Sequence, residues 1–235
     1  MRVAALVLGA GEGRRLRATL ALAPPKALVT LAGRSLLAHS LDALARVREI
    51  ERLVPVLPAA SFDAWPAVRA ELADPSRVAA PVPGGALRQD SVRAGLAALP
   101  ADVTHVAVHD AARPLVRPTD VARVVAAGLA HGAALLAAPA TDTIHLVRGG
   151  RVAATPPREE CFGAQTPQVF RVDWLREALA KALADRVVGS DDVALVARLG
   201  VAVHVVPGDP DNLKITTAAD LALAEALLAS RGAAA

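Results

Sequence analysis

Val3-Ala4-Ala5-Leu6-Val7-Leu8-Gly9-Ala10-Gly11-Glu12-Gly13-Arg14-Arg15-Leu16 is the stretch from which the fold can be read. Its first six residues are an unbroken apolar run, the pattern of a strand buried on both faces. Glycines follow at once. Glycine adopts positive φ freely and lets backbone approach a ligand, so successive N–H groups can cradle a phosphate. A buried strand running straight into such a loop predicts an α/β, doubly wound, mostly parallel sheet. Ligands of such sheets bind beyond the carboxyl ends of the strands.

Two familiar phosphate loops do not fit. The dinucleotide pattern G-x-G-x-x-G needs glycine where Arg14 stands, and a Walker A loop needs Gly-Lys-Ser/Thr to close its turn. A third kind ends in arginine and is followed by Pro-Lys, here Pro25-Lys26. Nucleotidyl transfer needs such cations. The α-phosphate gains negative charge as the attacking oxygen arrives, and pyrophosphate leaves with more. Arg15 and Lys26 are expected to close over that charge. For the loop alone, a tight turn with solvated arginines is a serious rival; Pro25-Lys26 tips the balance.

Outward from this point, apolar runs alternate with amphipathic ones. Strands are predicted at 53–57, 78–82, 103–108, 133–138 and 201–206, and helices at 35–47, 62–72, 90–99, 119–130, 172–184, 191–199 and 218–229. Ser35 and Thr119 are candidate N-caps, and Thr217 with Asp220 resembles a capping box. Residues 141–157 break the rhythm. Two short strand-like runs around Gly149-Gly150 predict a β-hairpin that leaves the sheet. No linker divides the chain, which reads as one domain over 1–235.

Composition removes other classes. Of 235 residues, 54% are hydrophobic but only 2% aromatic, so the core is aliphatic. The net charge of +3 comes without a basic tract or stacking platform, which argues against nucleic acid. A single cysteine, Cys161, excludes a disulfide framework and a multi-cysteine zinc site. The uncharged run 124–141 contains Gly128, His131, Gly132 and Pro139, so it reads as helix, turn and strand rather than a membrane span. The apolar N-terminal run is too short for a signal peptide. A cytoplasmic protein is expected. Of the 26 basic residues only three are lysines, Lys26, Lys181 and Lys214.

Three further stretches carry chemistry. His109-Asp110-Ala111-Ala112-Arg113-Pro114 ends a buried strand where ligands bind; Asp110 can hold Mg²⁺ or a hydroxyl and Arg113 a phosphate, unless the two simply pair. Asp209-Pro210-Asp211-Asn212-Leu213-Lys214-Ile215-Thr216 places Lys214 within reach of a phosphate, with Asp209 and Asp211 as pairing or metal groups. Gly84 to Ser91 starts a helix, where free N–H groups attract anions; Arg88 and Ser91 can meet a nucleotide, with Asp90 as cap. Ala164-Gln165-Thr166-Pro167-Gln168 shows no regular pattern and can line a pocket. No G-x-S-x-G elbow is present for a serine hydrolase.

Taken in order, the loop, Pro25-Lys26, HDAARP, Arg158 before QTPQ, and DNLKIT resemble the 2-C-methyl-D-erythritol 4-phosphate cytidylyltransferases over nearly the whole chain. The resemblance implies a Rossmann-like nucleotidyltransferase fold. It implies a reaction of CTP with 2-C-methyl-D-erythritol 4-phosphate that yields 4-diphosphocytidyl-2-C-methyl-D-erythritol and pyrophosphate, with Mg²⁺. By the same resemblance Arg15 and Lys26 stabilise the transition state, and Arg158 and Lys214 position the acceptor phosphate. Gly9, Ala10, Gly11, Gly85, Arg88 and Ser91 fall at the nucleotide. Asp110, Arg113, Thr141, Thr166 and Ser190 fall near substrate, Asp110 also near the metal. The 141–157 hairpin matches an arm that embraces a second subunit in a homodimer, whose partner site Thr141, Arg113 and Arg158 can serve. The rivals are a nucleotidyltransferase acting on a sugar phosphate or molybdopterin, and a non-catalytic nucleotide-binding module. The first should lack the HDAARP–DNLKIT pairing, and the second has no need of both Lys26 and Lys214.

Overall fold

A computed structural model describes residues 1–11, 13–19 and 24–233. In chain order its strands are β1 (Val3–Leu8), β2 (Thr30–Leu31), β3 (Arg34–Ser35), β4 (Ile50–Leu57), β5 (Val82–Pro83), β6 (His105–Asp110), β7 (Ala133–Pro139), β8 (Leu146–Arg148), β9 (Arg151–Ala154), β10 (Phe162–Arg171) and β11 (His204–Pro207). The helices are α1 (Arg14–Thr19), α2 (Leu36–Ala45), α3 (Trp65–Ala70), α4 (Arg88–Ala97), α5 (Pro118–His131), α6 (Val172–Ala184), α7 (Asp192–Ala197) and α8 (Ala218–Ala233).

Seven strands form one sheet in the order β11-β7-β10-β6-β1-β4-β5. All pairs are parallel except those of β10, which runs antiparallel to both β6 and β7. The expected doubly wound architecture is present. Alternate residues of each strand feed opposite cores. Ala5, Val7 and Ala107 pack with Leu41 of α2 and Val124 of α5. Leu6, Val108 and Phe170 pack with Leu96 of α4 and Leu179 of α6. Small residues permit the close approach: a Cβ at Gly95 would lie 2.8 Å from Leu6 Cδ1. The hairpin arm is also present, as β8 and β9 around Gly149 and Gly150, both at positive φ.

Several expectations need correction. The 78–82 strand shrinks to a single bridge at Val78 plus β5. Residues 62–72 begin as a 3-10 turn, Ala59–Ala64, before α3. Helix α5 begins at Pro118 with Arg117 as N-cap, so Thr119 is not the cap; proline at the first helical position needs no N–H partner. Ser35 does cap α2, accepting from Ala38 N–H at 3.2 Å. Thr217 and Asp220 bond reciprocally, as anticipated. The largest difference is β10. The stretch read as patternless, 164–168, lies inside a ten-residue strand of the sheet interior.

Candidate functional site

A cavity of about 610 Å³ opens at the carboxyl ends of β1 and β6. Gly9, Ala10, Gly11, Arg15, Lys26, Gly85, Arg88, Ser91, Asp110 and Lys214 all line it. Ten positions spread over the chain thus meet where the fold predicts a ligand.

The first wall is the loop after β1. Gly9 N–H donates to Val56 O at 2.8 Å, which ties the loop to β4. A Cβ on Gly9 would stand 2.8 Å from Ala27 Cβ, and one on Gly13 would stand 2.7 Å from Lys26 Cβ. Bare backbone at these positions therefore lets the Lys26–Leu28 turn press against the loop. Lys26 has no ion-pair partner among the described residues. Burial, then the nearby charges of Lys214 and Arg15, push its pKa down to about 8, with Asp110 partly opposing. A desolvated cation of this kind is poised for a polyanion.

The second wall is centred on Asp110, the last residue of β6. Lys214 Nζ donates to its Oδ2 at 2.6 Å, and Arg88 Nε to its Oδ1 at 3.3 Å. Burial opposes the charge of Asp110, yet Arg88, Lys214 and Arg113 hold its carboxyl well below the usual range. Arg88 also donates from Nη1 to Asp192 Oδ2 at 2.7 Å. The simple Asp110–Arg113 pair does not form. Arg113 instead donates to Asn212 O at 2.6 Å and to Ala164 O at 3.0 Å.

Beneath this wall lies a layer of buried polar groups. Thr166 Oγ1 accepts from Asp110 N–H at 3.1 Å and donates to His109 Nδ1 at 3.0 Å. That leaves His109 Nε2 to donate to Arg113 O at 3.3 Å. His109 is fully buried, and burial pushes its pKa down to about 4, so the ring is neutral. Gln165 accepts from Asn212 Nδ2 at 3.0 Å, and Gln168 donates to Asp191 at 2.9 Å. Sequence reasoning gave no individual role to His109, Gln168, Asn212 or Asp192. For His109 a signal existed, a polar residue inside an otherwise apolar strand, which burial converts into an obligatory hydrogen-bonding group.

Other expected residues stand elsewhere. Thr166 and Arg113 support the second wall from outside the cavity lining. Thr141 and Arg158 are exposed on the arm, where Arg158 Nη1 donates to Thr141 O at 3.4 Å. Ser190 is exposed just ahead of α7 and does not line the cavity. Ser91 does line it, but its hydroxyl already bonds Gly85 N–H and Leu87 O, shaping the loop between them. Asp90 is not the cap of α4; its carboxylate reaches back to Leu87 N–H at 3.2 Å. Asp209 and Asp211 pair with Arg117 rather than Lys214. Among the described residues no three His, Cys, Asp or Glu side chains gather as a metal cage. Among the described residues Asp110 is the one carboxylate lining the cavity. That donor set suits a Mg²⁺ that keeps water and takes most of its ligands from phosphates.

Comparison with known proteins agrees with this geometry. Residues 3–230 match the family described as 2-C-methyl-D-erythritol 4-phosphate cytidylyltransferase. The enzyme of that name from Deinococcus radiodurans is 44% identical, over 96% of this chain and 89% of its own. The one from Pelotomaculum thermopropionicum is 40% identical, over 98% and 95%. Among solved structures, the Thermus thermophilus cytidylyltransferase superposes with a TM-score of 0.74 at 37% identity, covering 97% of this chain and 98% of that one. The 4-diphosphocytidyl-2C-methyl-D-erythritol synthase of Anaerococcus prevotii reaches a TM-score of 0.85 at 27% identity, covering 97% and 96%. A glycine loop seated against its own lysine, an aspartate at the end of β6 held by two cations, and likeness along the full length lead to one assignment: this chain belongs to the 2-C-methyl-D-erythritol 4-phosphate cytidylyltransferase family.

Proposed function

We propose that the family's reaction takes place in the cavity between the two walls, within a single nucleotidyltransferase domain. A phosphate oxygen of 2-C-methyl-D-erythritol 4-phosphate attacks the α-phosphorus of CTP. A new P–O bond forms, the α–β bridging bond breaks, and pyrophosphate departs with the electron pair. The attacking phosphate is already anionic at neutral pH, so no general base is required. Neutral, buried His109 is consistent with that. The task left to the protein is to hold two polyanions in line and neutralise the charge that builds up.

Lys26 and Arg15 stabilise the α-phosphate and the leaving group. Ala10 and Gly11 bring backbone N–H groups to the nucleotide, Gly9 and Gly85 let the main chain approach it closely, and Arg88 and Ser91 shape its far side. Lys214 takes the acceptor phosphate. Arg113 and Thr166 hold Asp110 in place, and Asp110 would bind Mg²⁺ carried in by the triphosphate. When bound, that ion supplies further neutralisation of the phosphates. Arg158, Thr141 and Ser190 stand apart from the cavity lining. The arm therefore reaches across a homodimer, and Arg158 and Thr141 of one subunit complete the cavity of the other. One observation carries this reading: Arg15, Lys26, Arg88 and Lys214 converge on a cavity whose described lining holds a single carboxylate.

The test is pyrophosphate release with each of the four nucleotides, with and without 2-C-methyl-D-erythritol 4-phosphate. Release with CTP only when the acceptor is present is the expected result. Release with another nucleotide and a sugar phosphate would replace this reading with that of a related nucleotidyltransferase.

A further inference from the structure

Asp192 is fully buried, and the reaction as derived makes no use of it. It does not cap α7; Asp191 does, accepting from Ala194 N–H at 2.8 Å. Its Oδ2 accepts from Arg88 Nη1 at 2.7 Å, and its Oδ1 has no hydrogen-bond partner among the described residues. Burial pushes its carboxyl upward, against the pull of Arg88. A buried carboxylate with one partner and an orphaned oxygen is a poor way to stabilise a fold. Its value must lie in what it does to Arg88.

Arg88 spans two carboxylates, with Nη1 on Asp192 at 2.7 Å and Nε on Asp110 at 3.3 Å. The helix that carries it is fastened to the segment ahead of α7: Gln89 donates to Val187 O and accepts from Gly189 N–H, both at 3.2 Å. On its other oxygen Asp110 holds Lys214 at 2.6 Å. The four groups form a chain, Asp192–Arg88–Asp110–Lys214, anchored at the buried end and open at the cavity end. Lys214 must turn from Asp110 to a phosphate when substrate arrives. Through that exchange Arg88 keeps the buried carboxylate paired on its other oxygen, whether or not a metal ion has arrived with the triphosphate.

We propose that Asp192 is a positioning residue: by fixing Arg88 as the standing counter-charge of Asp110, it frees Lys214 to engage the acceptor phosphate. This rests on the assignment of Lys214 to that phosphate. A neutral residue at 192 releases Arg88 from its anchor, loosens its hold on Asp110, and keeps Lys214 pinned there.

The experiment is steady-state kinetics of Asp192→Asn in the native background and in Lys214→Ala, with both substrates varied and thermal midpoints recorded. In the native background kcat/KM for the acceptor is expected to fall about tenfold while KM for CTP stays within about twofold; in Lys214→Ala, which has no lysine to free, the same substitution should cost less than about twofold. Equal losses in both backgrounds would make Asp192 merely structural and overturn the inference. If Lys214→Ala alone leaves kcat/KM for the acceptor unchanged, the assignment of Lys214 fails first and the inference goes with it. Should Asp192→Asn not fold, Arg88→Lys, which keeps the charge but cannot bridge two carboxylates, must show the same dependence on Lys214. Equal loss in both backgrounds would again refute it.

Discussion

The cavity floor and the arm are neighbours along β10, yet they are built on opposite principles. On the floor, His109, Asp110, Gln165, Thr166 and Gln168 are all buried, and each bonds a residue distant in sequence. On the arm, Ile144, Leu146, Val147 and Val152 are apolar and exposed, and Phe162 at its base is 43% exposed. One chain completes the floor by itself. The arm spends apolar side chains on solvent, which a protein tolerates in a contiguous patch when another surface covers it. On the proposed reading, the floor serves the chemistry and the arm serves assembly.

The sharpest way to break this contrast is to strip the cavity of Lys26, which has no ion-pair partner among the described residues. Lys26→Ala should lower kcat about 100-fold, with the arm and the oligomeric state untouched, since its contact strengthens as charge develops. Unchanged turnover in a quench assay would remove Lys26 from the transition state. The arm is next. Val147→Asp combined with Val152→Asp should leave the thermal midpoint of the folded subunit nearly unchanged while shifting sedimentation to the monomer. Activity should fall roughly tenfold if Arg158 must cross to the other subunit. A fully active monomer would confine catalysis to one chain.

The cavity also carries a pH signature. With Lys26 at about 8 in the free protein, kcat/KM for CTP should decline above pH 8 as that lysine loses its proton. Bound triphosphate favours the charged form, so the limb in kcat should lie higher. Lys26→Arg should abolish the break, and a profile that keeps it would place the titration elsewhere. The sign for stability is the reverse. A lysine whose pKa falls on folding is a burden while charged, so its cost is greatest below pH 8 and fades as pH rises towards 10.5. Smallest is the effect of Thr166→Val. It strips the hydrogen-bond partners from buried His109 Nδ1 and Asp110 N–H, a loss of about 2 kcal/mol in chemical denaturation. A neutral outcome would mean that the floor is wetter than its geometry implies.

Much of this was legible in the sequence because it rests on local rules. Val3–Leu8 announced a buried strand, Gly149-Gly150 a hairpin, and Val172–Ala184 a helix with its observed bounds. Of the ten lining positions, Arg15, Lys26, Arg88, Ser91, Asp110 and Lys214 followed from the chemistry of their motifs, and Gly9, Ala10, Gly11 and Gly85 were named individually by the family resemblance. Strand β10 was hidden for a physical reason. Its buried half contains Gln165, Thr166, Pro167 and Gln168, which neither alternate nor look apolar. Their burial is made possible by partners at Asn212, Asp191 and His109, and no window of local sequence contains those partners. The register also shifts between Ala164 and Gln168, the kind of irregularity that admits a proline into an inner strand. Asp192 was hidden likewise, since a second aspartate at a helix start reads as ordinary capping until its distant arginine is seen. The lysine scarcity gains meaning in the same way. Lys26 and Lys214 face the cavity, whereas Lys181 makes a surface pair with Asp185.

The three glycines after β1 divide the labour unequally. A side chain at Gly11 would meet nothing within 4 Å, whereas at Gly9 and Gly13 it would strike Ala27 and Lys26. An alanine at 11 is therefore a change the subunit itself can absorb. At 9 or 13 the same methyl would wedge the lysine turn outward and displace the charge from its seat before any nucleotide arrived. The loop acts as a keyway cut to its own key: the first thing its bare backbone accommodates is the protein's own cation.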